Sequence, residues 1–278
     1  QWVLEAETVS TLHHTVIGAG ETPVVWCHGV FGQGKNFTSV AKALVTSDPH
    51  RWRAILLDLL NHGRSPWTDT MSYPQMSDAV ARTIHDLADG QPVHLLGHSM
   101  GGKVAMVLAL RHPDLVDRLI VEDIAPRVSP QATDEFVHLL GTMLRMDLDA
   151  YDTRAEADAA MAEHVHDARV RGFLLQNLRR TGGHFAWQPN VAMLFEHLRE
   201  IGSFPDPVVP EDPERVFDNP VLWLTGAESD YVQDEDVPRM KELFPRVVRV
   251  TVRDAGHWLH ADQPEAFVSA VRTFLTAD

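Results

Sequence analysis

The sequence predicts an α/β protein with a mostly parallel central sheet, helices on both faces of that sheet and an inserted helical cap. Short apolar runs alternate with segments whose apolar residues recur every three or four positions, a pattern typical of parallel sheets with helical crossovers. One stretch, residues 127–213, breaks the alternation with several helix-like segments and no convincing strand. Because it lies between two predicted core strands and ends in a proline-rich loop, we interpret it as an insertion. The predicted division is therefore a core of residues 1–126 and 214–278 and a cap of residues 127–213.

The individual elements follow from apolar periodicity. Strands are predicted where short apolar runs stand alone: Leu12–Ile17, Val24–Cys27, Arg53–Leu57, Val93–Leu96, Leu119–Val121, Val221–Leu224 and Val247–Val252. Core helices are predicted where apolar residues follow helical spacing, at residues 37–45, 76–87, 102–112 and 267–275. The clearest helical segments of the cap are residues 134–146, 155–165 and 169–180.

Composition excludes several classes of function. The chain of 278 residues carries a net charge of −15, and no block of lysine and arginine compensates it, so we expect no nucleic-acid partner. It contains no run of 18 apolar residues, and residues 1–5 lack a basic segment before an apolar one, so we expect neither a membrane span nor a signal peptide. The single cysteine, Cys27, cannot form an intrachain disulfide, which favours the cytoplasm. The spacings of the 16 histidines match no metal motif, so no metal or other cofactor is predicted.

The most informative motif is Gly97-His98-Ser99-Met100-Gly101, which lies between a predicted strand and a predicted helix. This strand–turn–helix arrangement is a nucleophile elbow, in which small residues at both flanks allow a sharp turn that exposes the central serine at a helix N-terminus. Ser99 is therefore the candidate nucleophile. Residues 97–103 also fit the start of a phosphate-binding loop, but Val104 stands where that loop needs Ser or Thr for Mg²⁺, so this interpretation is disfavoured.

A serine nucleophile needs a general base within hydrogen-bond reach. The last predicted strand ends just before Ala255-Gly256-His257, so His257 is the predicted base, and His260 is the alternative. The turn at Ser99 directs the side chain of His98 away from the hydroxyl, so we do not expect His98 to act as the base.

The base in turn needs a carboxylate to orient it. Asp123 follows the predicted strand at residues 119–121 and is the favoured acid. The alternatives are Asp230, which follows the strand at residues 221–224, and Glu122. Position 229, three residues after Gly226, is where this fold often has its acid, but it is a serine here.

The oxyanion hole requires two backbone N–H groups that point at one oxygen. We predict one from Met100, directly after the nucleophile, and one from Val30 in the glycine-containing loop after the strand at residues 24–27, with Phe31 as the alternative. Three residues near the same edge of the sheet are candidates for binding substrate: Phe31, Asn61 and His98. For Asn61 and its neighbour His62, bracing of the local turn is an equal alternative.

Five strings of residues together resemble the small α/β-hydrolase esterases and thioesterases whose catalytic acid follows the sixth strand. The matching strings are His28-Gly29-Val30-Phe31-Gly32, Asn61-His62-Gly63-Arg64-Ser65-Pro66, Gly97-His98-Ser99-Met100-Gly101-Gly102-Lys103, Asp123-Ile124-Ala125-Pro126 and Ala255-Gly256-His257-Trp258-Leu259-His260. The resemblance implies an α/β-hydrolase fold, the triad Ser99–Asp123–His257 and hydrolysis of small to medium acyl esters or thioesters without a cofactor. Asp230-Tyr231 departs from the family pattern.

The predicted function is thus a serine hydrolase that acts through an acyl-enzyme on a small-molecule ester or thioester. Lactonase, C–C bond hydrolase and perhydrolase are alternatives, because they use the same three residues. Haloalkane dehalogenases and epoxide hydrolases are disfavoured, because they need an aspartate where this chain has Ser99. A ligand receptor on the same scaffold is the alternative from a different class. Oligomeric state does not follow from the sequence.

Overall fold

Seven strands form the central sheet of the computed structural model, which describes residues 11–277 without the side chains of residues 130–133. The described strands are β1 (His14–Ile17), β2 (Thr22–Cys27), β3 (Trp52–Leu57), β4 (Val93–His98), β5 (Val116–Glu122), β6 (Leu178–Thr181), β7 (His184–Trp187), β8 (Val221–Gly226) and β9 (Val247–Val252). Six strands of the central sheet run parallel in the order β3-β2-β4-β5-β8-β9, and β1 is antiparallel to β3 at one edge. The prediction of a mostly parallel α/β sheet is confirmed.

Eleven α-helices lie among the described residues: α1 (Thr38–Ser47), α2 (Tyr73–Leu87), α3 (Met100–Arg111), α4 (Pro130–Arg145), α5 (Arg154–Ala162), α6 (Ala168–Leu175), α7 (Val191–Glu196), α8 (Leu198–Gly202), α9 (Val237–Leu243), α10 (Leu259–Asp262) and α11 (Pro264–Thr276). None of them is long and apolar enough to cross a bilayer. The expectation about a signal peptide concerns residues 1–5, which lie outside the described residues.

The sheet separates two apolar cores because successive side chains of a strand point to opposite faces. Within β2, Val25 and Cys27 pack with α2 and α3, whereas Val24 and Trp26 pack with α1 and α11. The central strands β4 and β8 are buried along their whole length, as parallel strands covered on both faces should be. This burial accounts for the mostly apolar runs by which the sequence revealed these strands.

The segment between β5 and β8 contains α4 to α8, but the prediction that it holds no strand is wrong. Residues 178–187, partly expected to be helical, form the antiparallel hairpin β6–β7, whose turn is Gly182-Gly183. Both glycines have positive φ, 61° and 91°, the conformation that a two-residue hairpin turn requires. Each strand has only one buried residue, Leu178 and Phe185, so no apolar run marked the hairpin, and the Gly-Gly pair was the available signal. The division at residues 127 and 213 stays a prediction.

The parallel strands present their carboxyl ends at one edge of the sheet. The loop at residues 28–32 follows β2, Ser99 follows β4, Asp123 follows β5, and the loop that carries His257 follows β9. The strand before Asp123, which the family resemblance counts as the sixth, is β5 when the described strands are numbered in chain order. The alternation of strands and helices thus brings residues more than 150 positions apart to one edge, where ligands bind in open α/β sheets.

Candidate active site

Ser99 sits in a sharp turn between β4 and α3. Its backbone has φ 54° and ψ −121°, a conformation that costs free energy for any residue with a side chain. A Cβ at Gly97 would collide with the backbone of Gly101, and one at Gly101 would collide with the carbonyl oxygens of Cys27 and His28. The two glycines are therefore required sterically, and the turn has the geometry of the nucleophile elbow expected from the sequence.

The structure brings Ser99, His257 and Asp123 into one line of hydrogen bonds. The carboxylate of Asp123 accepts from Nδ1 of His257 at 2.7 Å, so in the neutral ring Nδ1 carries the proton. Nε2 is then free to accept from the Ser99 hydroxyl, whose oxygen lies 2.9 Å away. Asp123 is fully buried, whereas the side chain of His257 is 21% exposed, so the proton acceptor faces the site and the charge behind it is shielded from water.

The two alternative acids lie elsewhere. Asp230 is exposed, and its backbone carbonyl accepts from the Gln233 side chain. Glu122 is fully buried and accepts from the backbone and the ring Nδ1 of His260, the alternative base, at 3.1 and 2.7 Å. Burial by itself raises the pKa of Glu122, but the His260 and His98 rings and the hydrogen bonds from His260 outweigh it and hold this pKa below its ordinary value.

Ser229 is the residue of this site that sequence reasoning missed. Its hydroxyl donates to Oδ2 of Asp123, and the backbone N–H of Gly226 donates to Oδ1 at 2.9 Å. The carboxylate beside His257 is thus itself held by two donors, one at the end of β8 and one in the loop after it. Position 229, three residues after Gly226, is where an acid is expected in this fold, and a serine there can instead donate to one.

Tyr231 lies flat against the ring of His257. The two ring centroids are 3.7 Å apart and the ring planes differ by 14°. Burial raises the pKa of Tyr231, and the nearby Glu135 carboxylate, which accepts a hydrogen bond from the phenol, adds to the effect. The phenol is therefore neutral, and its π face covers one side of the imidazole.

The two predicted oxyanion donors, the backbone N–H groups of Val30 and Met100, have no acceptor among the described residues. The alternative donor, Phe31, is already engaged, because its N–H donates to Nε2 of His62 at 3.2 Å. Burial lowers the pKa of His62 to about 3, which keeps this nitrogen available as an acceptor. Of the two alternatives for the second donor, Val30 is thus the one whose N–H is not engaged elsewhere among the described residues.

The three predicted substrate-binding residues occupy different positions. Phe31 is buried with its ring edge against Phe136, which lines the narrow pocket beside Ser99. Asn61 accepts from the backbone N–H of Thr68 at 2.8 Å and donates to the Thr68 hydroxyl, so its side chain braces the turn and does not line this pocket. His98 donates from Nε2 to the carbonyl oxygen of His257 at 2.7 Å and supports the base from behind.

The pocket beside Ser99 is mostly apolar but contains one buried ammonium group. Lys103, only 1% exposed, donates to the carbonyl oxygens of Gly202 and Ser203 at 3.2 and 2.8 Å. Burial lowers the pKa of Lys103 to about 7, and the charge of Arg127 adds to this effect. The remaining lining includes Tyr73, Met100, Ile124, Phe136, Ile201 and Tyr231.

Comparisons with known proteins agree with this fold. The chain matches the family model described as alpha/beta hydrolase fold over residues 22–264. It is 35% identical over 274 residues to the Danio rerio protein named sn-1-specific diacylglycerol lipase ABHD11, covering 97% of this chain and 84% of that protein. It is 30% identical over 278 residues to Esterase YbfF of Escherichia coli (strain K12), covering 98% of both. A solved structure described as a marine microorganism esterase aligns with a TM-score of 0.87 at 33% identity, covering 95% of this chain and 98% of that one.

Proposed function

We propose that this chain, which belongs to the α/β-hydrolase family, is a serine hydrolase that cleaves carboxylic esters of small to medium acyl groups through an acyl-enzyme. That it is a hydrolase enzyme follows from its relatives, which are named esterases and lipases. The observation that carries the finer proposal is the line of hydrogen bonds from Ser99 through His257 to Asp123. Each of the three groups is positioned for one step of acyl transfer.

Acylation begins when Oγ of Ser99 attacks the carbonyl carbon of the ester. The hydroxyl proton passes to Nε2 of His257, and the electron pair of the carbonyl π bond moves to the carbonyl oxygen. Asp123 keeps the imidazole in the productive tautomer and stabilises its positive charge. When the tetrahedral intermediate collapses, the leaving alkoxide takes the proton from His257, and the acyl group stays on Ser99. Water then repeats the sequence in place of the serine and releases the acid.

The negative oxygen of the intermediate is stabilised by the backbone N–H groups of Val30 and Met100. Both lack another acceptor among the described residues, and that of Met100 lies in the first turn of α3, at the positive end of the helix dipole. In related hydrolases, the removal of one such donor costs about 10²–10³ in rate. The hole is made of backbone and is therefore held by the fold.

The pocket beside Ser99 has a volume of only about 10 Å³, so an acyl group can enter it only if its walls move apart. Its walls are mainly apolar or aromatic, with Phe136 of α4 and Ile201 of α8 among them, and they favour an apolar acyl group. The relatives' names add acylglycerol and simple ester substrates to the candidates for this chain. Thioesters and lactones are further candidates, since they present the same carbonyl to Ser99, and C–C bond hydrolysis is a more distant one. The proposed partner is a small molecule. A cytoplasmic location stays a prediction.

The test combines turnover with covalent labelling. We expect the protein to hydrolyse 4-nitrophenyl acetate and butyrate, and a fluorophosphonate probe to add once, at Ser99, as located by mass spectrometry. The variant Ser99→Ala should lose both turnover and labelling while its circular dichroism and urea unfolding stay those of the wild type. Turnover by a folded Ser99→Ala, or labelling at another residue, would refute the assignment.

The receptor alternative gives a different result in the same assay. A receptor on this scaffold would bind an ester or acid without a burst and without turnover. A parallel panel of esters, thioesters and lactones with increasing acyl length would then separate the candidate substrate classes for an active enzyme.

A further inference from the structure

Two buried polar side chains end neighbouring strands, each directly before a residue of the proposed triad. His98 ends β4 just before Ser99, and Glu122 ends β5 just before Asp123. His98 and Glu122 are partners in the parallel ladder between the two strands. Residues in register on neighbouring strands project from the same face of a sheet, so the two side chains lie side by side. A nitrogen of His98 and a carboxylate oxygen of Glu122 are within 4.8 Å of each other.

His98 holds the main chain of the proposed base. Its Nε2 lies 2.7 Å from the carbonyl oxygen of His257, and because a carbonyl oxygen only accepts, this nitrogen carries the proton and donates. Burial lowers the pKa of His98 to about 3, so the ring is neutral at neutral pH and has a single N–H. That N–H is therefore committed to the residue whose imidazole meets Ser99.

Glu122 holds the same loop three residues further on. Its Oε1 accepts from both the backbone N–H and the ring Nδ1 of His260, at 3.1 and 2.7 Å. His260 lies in α10, which begins at Leu259, so this contact fixes the point where the loop after His257 becomes helical. The rings of His98 and His260 meet edge to face with their centroids 5.1 Å apart, so the two contacts adjoin each other.

The burial of Glu122 is an independent indication that this residue serves the site. It is fully buried, and its Oε2 has no hydrogen-bond partner in the described part of the chain. Removal of a carboxylate from water costs several kcal/mol, and well-packed apolar side chains are often as stable in place of a buried ion pair. Stability alone therefore does not explain an acid at this position, whereas an acceptor for the loop that carries the base does.

We propose that His98 and Glu122 are positioning residues, which hold the loop of residues 257–260 and with it the imidazole that must reach Ser99. This inference rests on the proposed function. Each of the two comes from a strand that ends directly before another triad residue, so the loop cannot shift against the rest of the triad without stretching these hydrogen bonds. A misplacement of about 1 Å can lower a rate by about 10²-fold, so loss of either contact should reduce kcat.

Matched substitutions separate the hydrogen bonds from the volume of the side chains. Glutamine and methionine have nearly the same shape, but only glutamine offers a donor in place of Nε2 of His98 and an acceptor in place of Oε1 of Glu122. With 4-nitrophenyl butyrate as substrate, His98→Met and Glu122→Met should each lower kcat by about 10- to 100-fold. KM should stay near the wild-type value, because neither side chain lines the pocket beside Ser99. His98→Gln and Glu122→Gln should recover most of the loss, to within about fivefold of the wild-type kcat.

His94→Met is the control for a general loss of stability. His94 is a buried histidine of β4 that lies four residues before His98 on the same face of the strand, beside Trp52 and Asp117. This variant should keep the wild-type kcat, even where its midpoint of unfolding in urea falls. Urea unfolding of every variant shows which of them are folded in the assay.

A proton spectrum tests the geometry without turnover. The proton that Nδ1 of His257 donates to Asp123 across 2.7 Å should resonate far downfield of the amide protons, and His257→Ala identifies the signal by its loss. This signal should shift or broaden in the two methionine variants and stay in place in the two glutamine variants and in His94→Met. If Glu122→Met does not fold, His260→Leu removes the same ring contact from the donor side, and His260→Asn keeps a donor.

Methionine variants that are folded and as fast as the wild type would refute the positioning role. Glutamine variants as slow as the methionine variants would also refute it, because the hydrogen bonds would then not be what matters. A His94→Met enzyme as slow as His98→Met would show a general effect of a lost buried histidine. A wild type that hydrolyses no ester would instead refute the proposed function, and the proton spectra would still decide whether the two residues position His257.

Discussion

Replacement of Tyr231 by leucine tests whether the phenol ring contributes to the chemistry. The ring lies parallel to the imidazole of His257 at 3.7 Å, so its π face meets the cation that forms when His257 takes the serine proton. A cation against an aromatic face gains about 0.5 kcal/mol when exposed and about 2 kcal/mol when desolvated. Since about 1.4 kcal/mol corresponds to a tenfold change in rate, Tyr231→Leu should lower kcat/KM by about 2- to 30-fold.

The controls separate the ring from the hydroxyl and from the fold. Tyr231→Phe keeps the aromatic face and loses only the hydrogen bond with Glu135, so its kcat/KM should stay within about twofold of the wild type. Asp123 and His98 remain beside the imidazole in both variants, so the comparison isolates the aromatic ring. Initial rates of 4-nitrophenyl butyrate hydrolysis between pH 5 and 9 provide the assay. A Tyr231→Leu enzyme as fast as the wild type, or a Tyr231→Phe enzyme as slow as Tyr231→Leu, would refute the argument.

Three further predictions concern the acid, its support and the buried lysine. Asp123→Asn should reduce kcat by about 10⁴-fold, whereas Asp230→Asn should be nearly silent in the same steady-state assay; the reverse order would move the acid to the loop after β8. Ser229→Ala removes a donor to a buried carboxylate and should lower the free energy of unfolding in urea by about 1.5–3 kcal/mol, and an unchanged midpoint would contradict this. For Lys103, whose pKa falls from 10.5 to about 7 on folding, the unfolded chain binds more protons between these values, so stability rises with pH across that range. Lys103→Met should abolish this rise in thermal unfolding curves recorded between pH 7 and 10, and parallel curves for both proteins would exclude it.

Much of the fold could be predicted because parallel strands that are covered on both faces are mostly apolar. The apolar runs before Ser99 and Asp123 could therefore be recognised as strands, and their ends mark the edge of the sheet where the candidate site lies. The β6–β7 hairpin could not be detected in this way, because Leu178 and Phe185 are the only buried residues of its strands. The hairpin is held by its Gly182-Gly183 turn and by the packing of these two side chains, and its strands contain no apolar run.

The candidate site was predictable where it depends on local geometry and not where it depends on contacts between distant segments. Ser99 is marked by a turn whose steric demands are local, and the glycines around it are legible in the sequence. The roles of Ser229 and Tyr231 depend on contacts across the site, with Asp123 and with the His257 ring. Such contacts leave no spacing rule in the chain. For Asn61 the sequence left binding of substrate and bracing of the turn as equal alternatives, and its side chain bonds to Thr68 within its own turn.

The sequence by itself determined the strand–turn–helix at Ser99, the order of strands and helices, and the short set of residues that could accompany the nucleophile. These depend on steric and apolar constraints that act over a few neighbouring positions. Only the tertiary structure set Asp123 and not Asp230 against the ring of His257, paired Glu122 with His260, and brought the Tyr231 ring onto His257. Those choices depend on which side chains converge at the end of the sheet, and packing of distant segments alone sets that convergence.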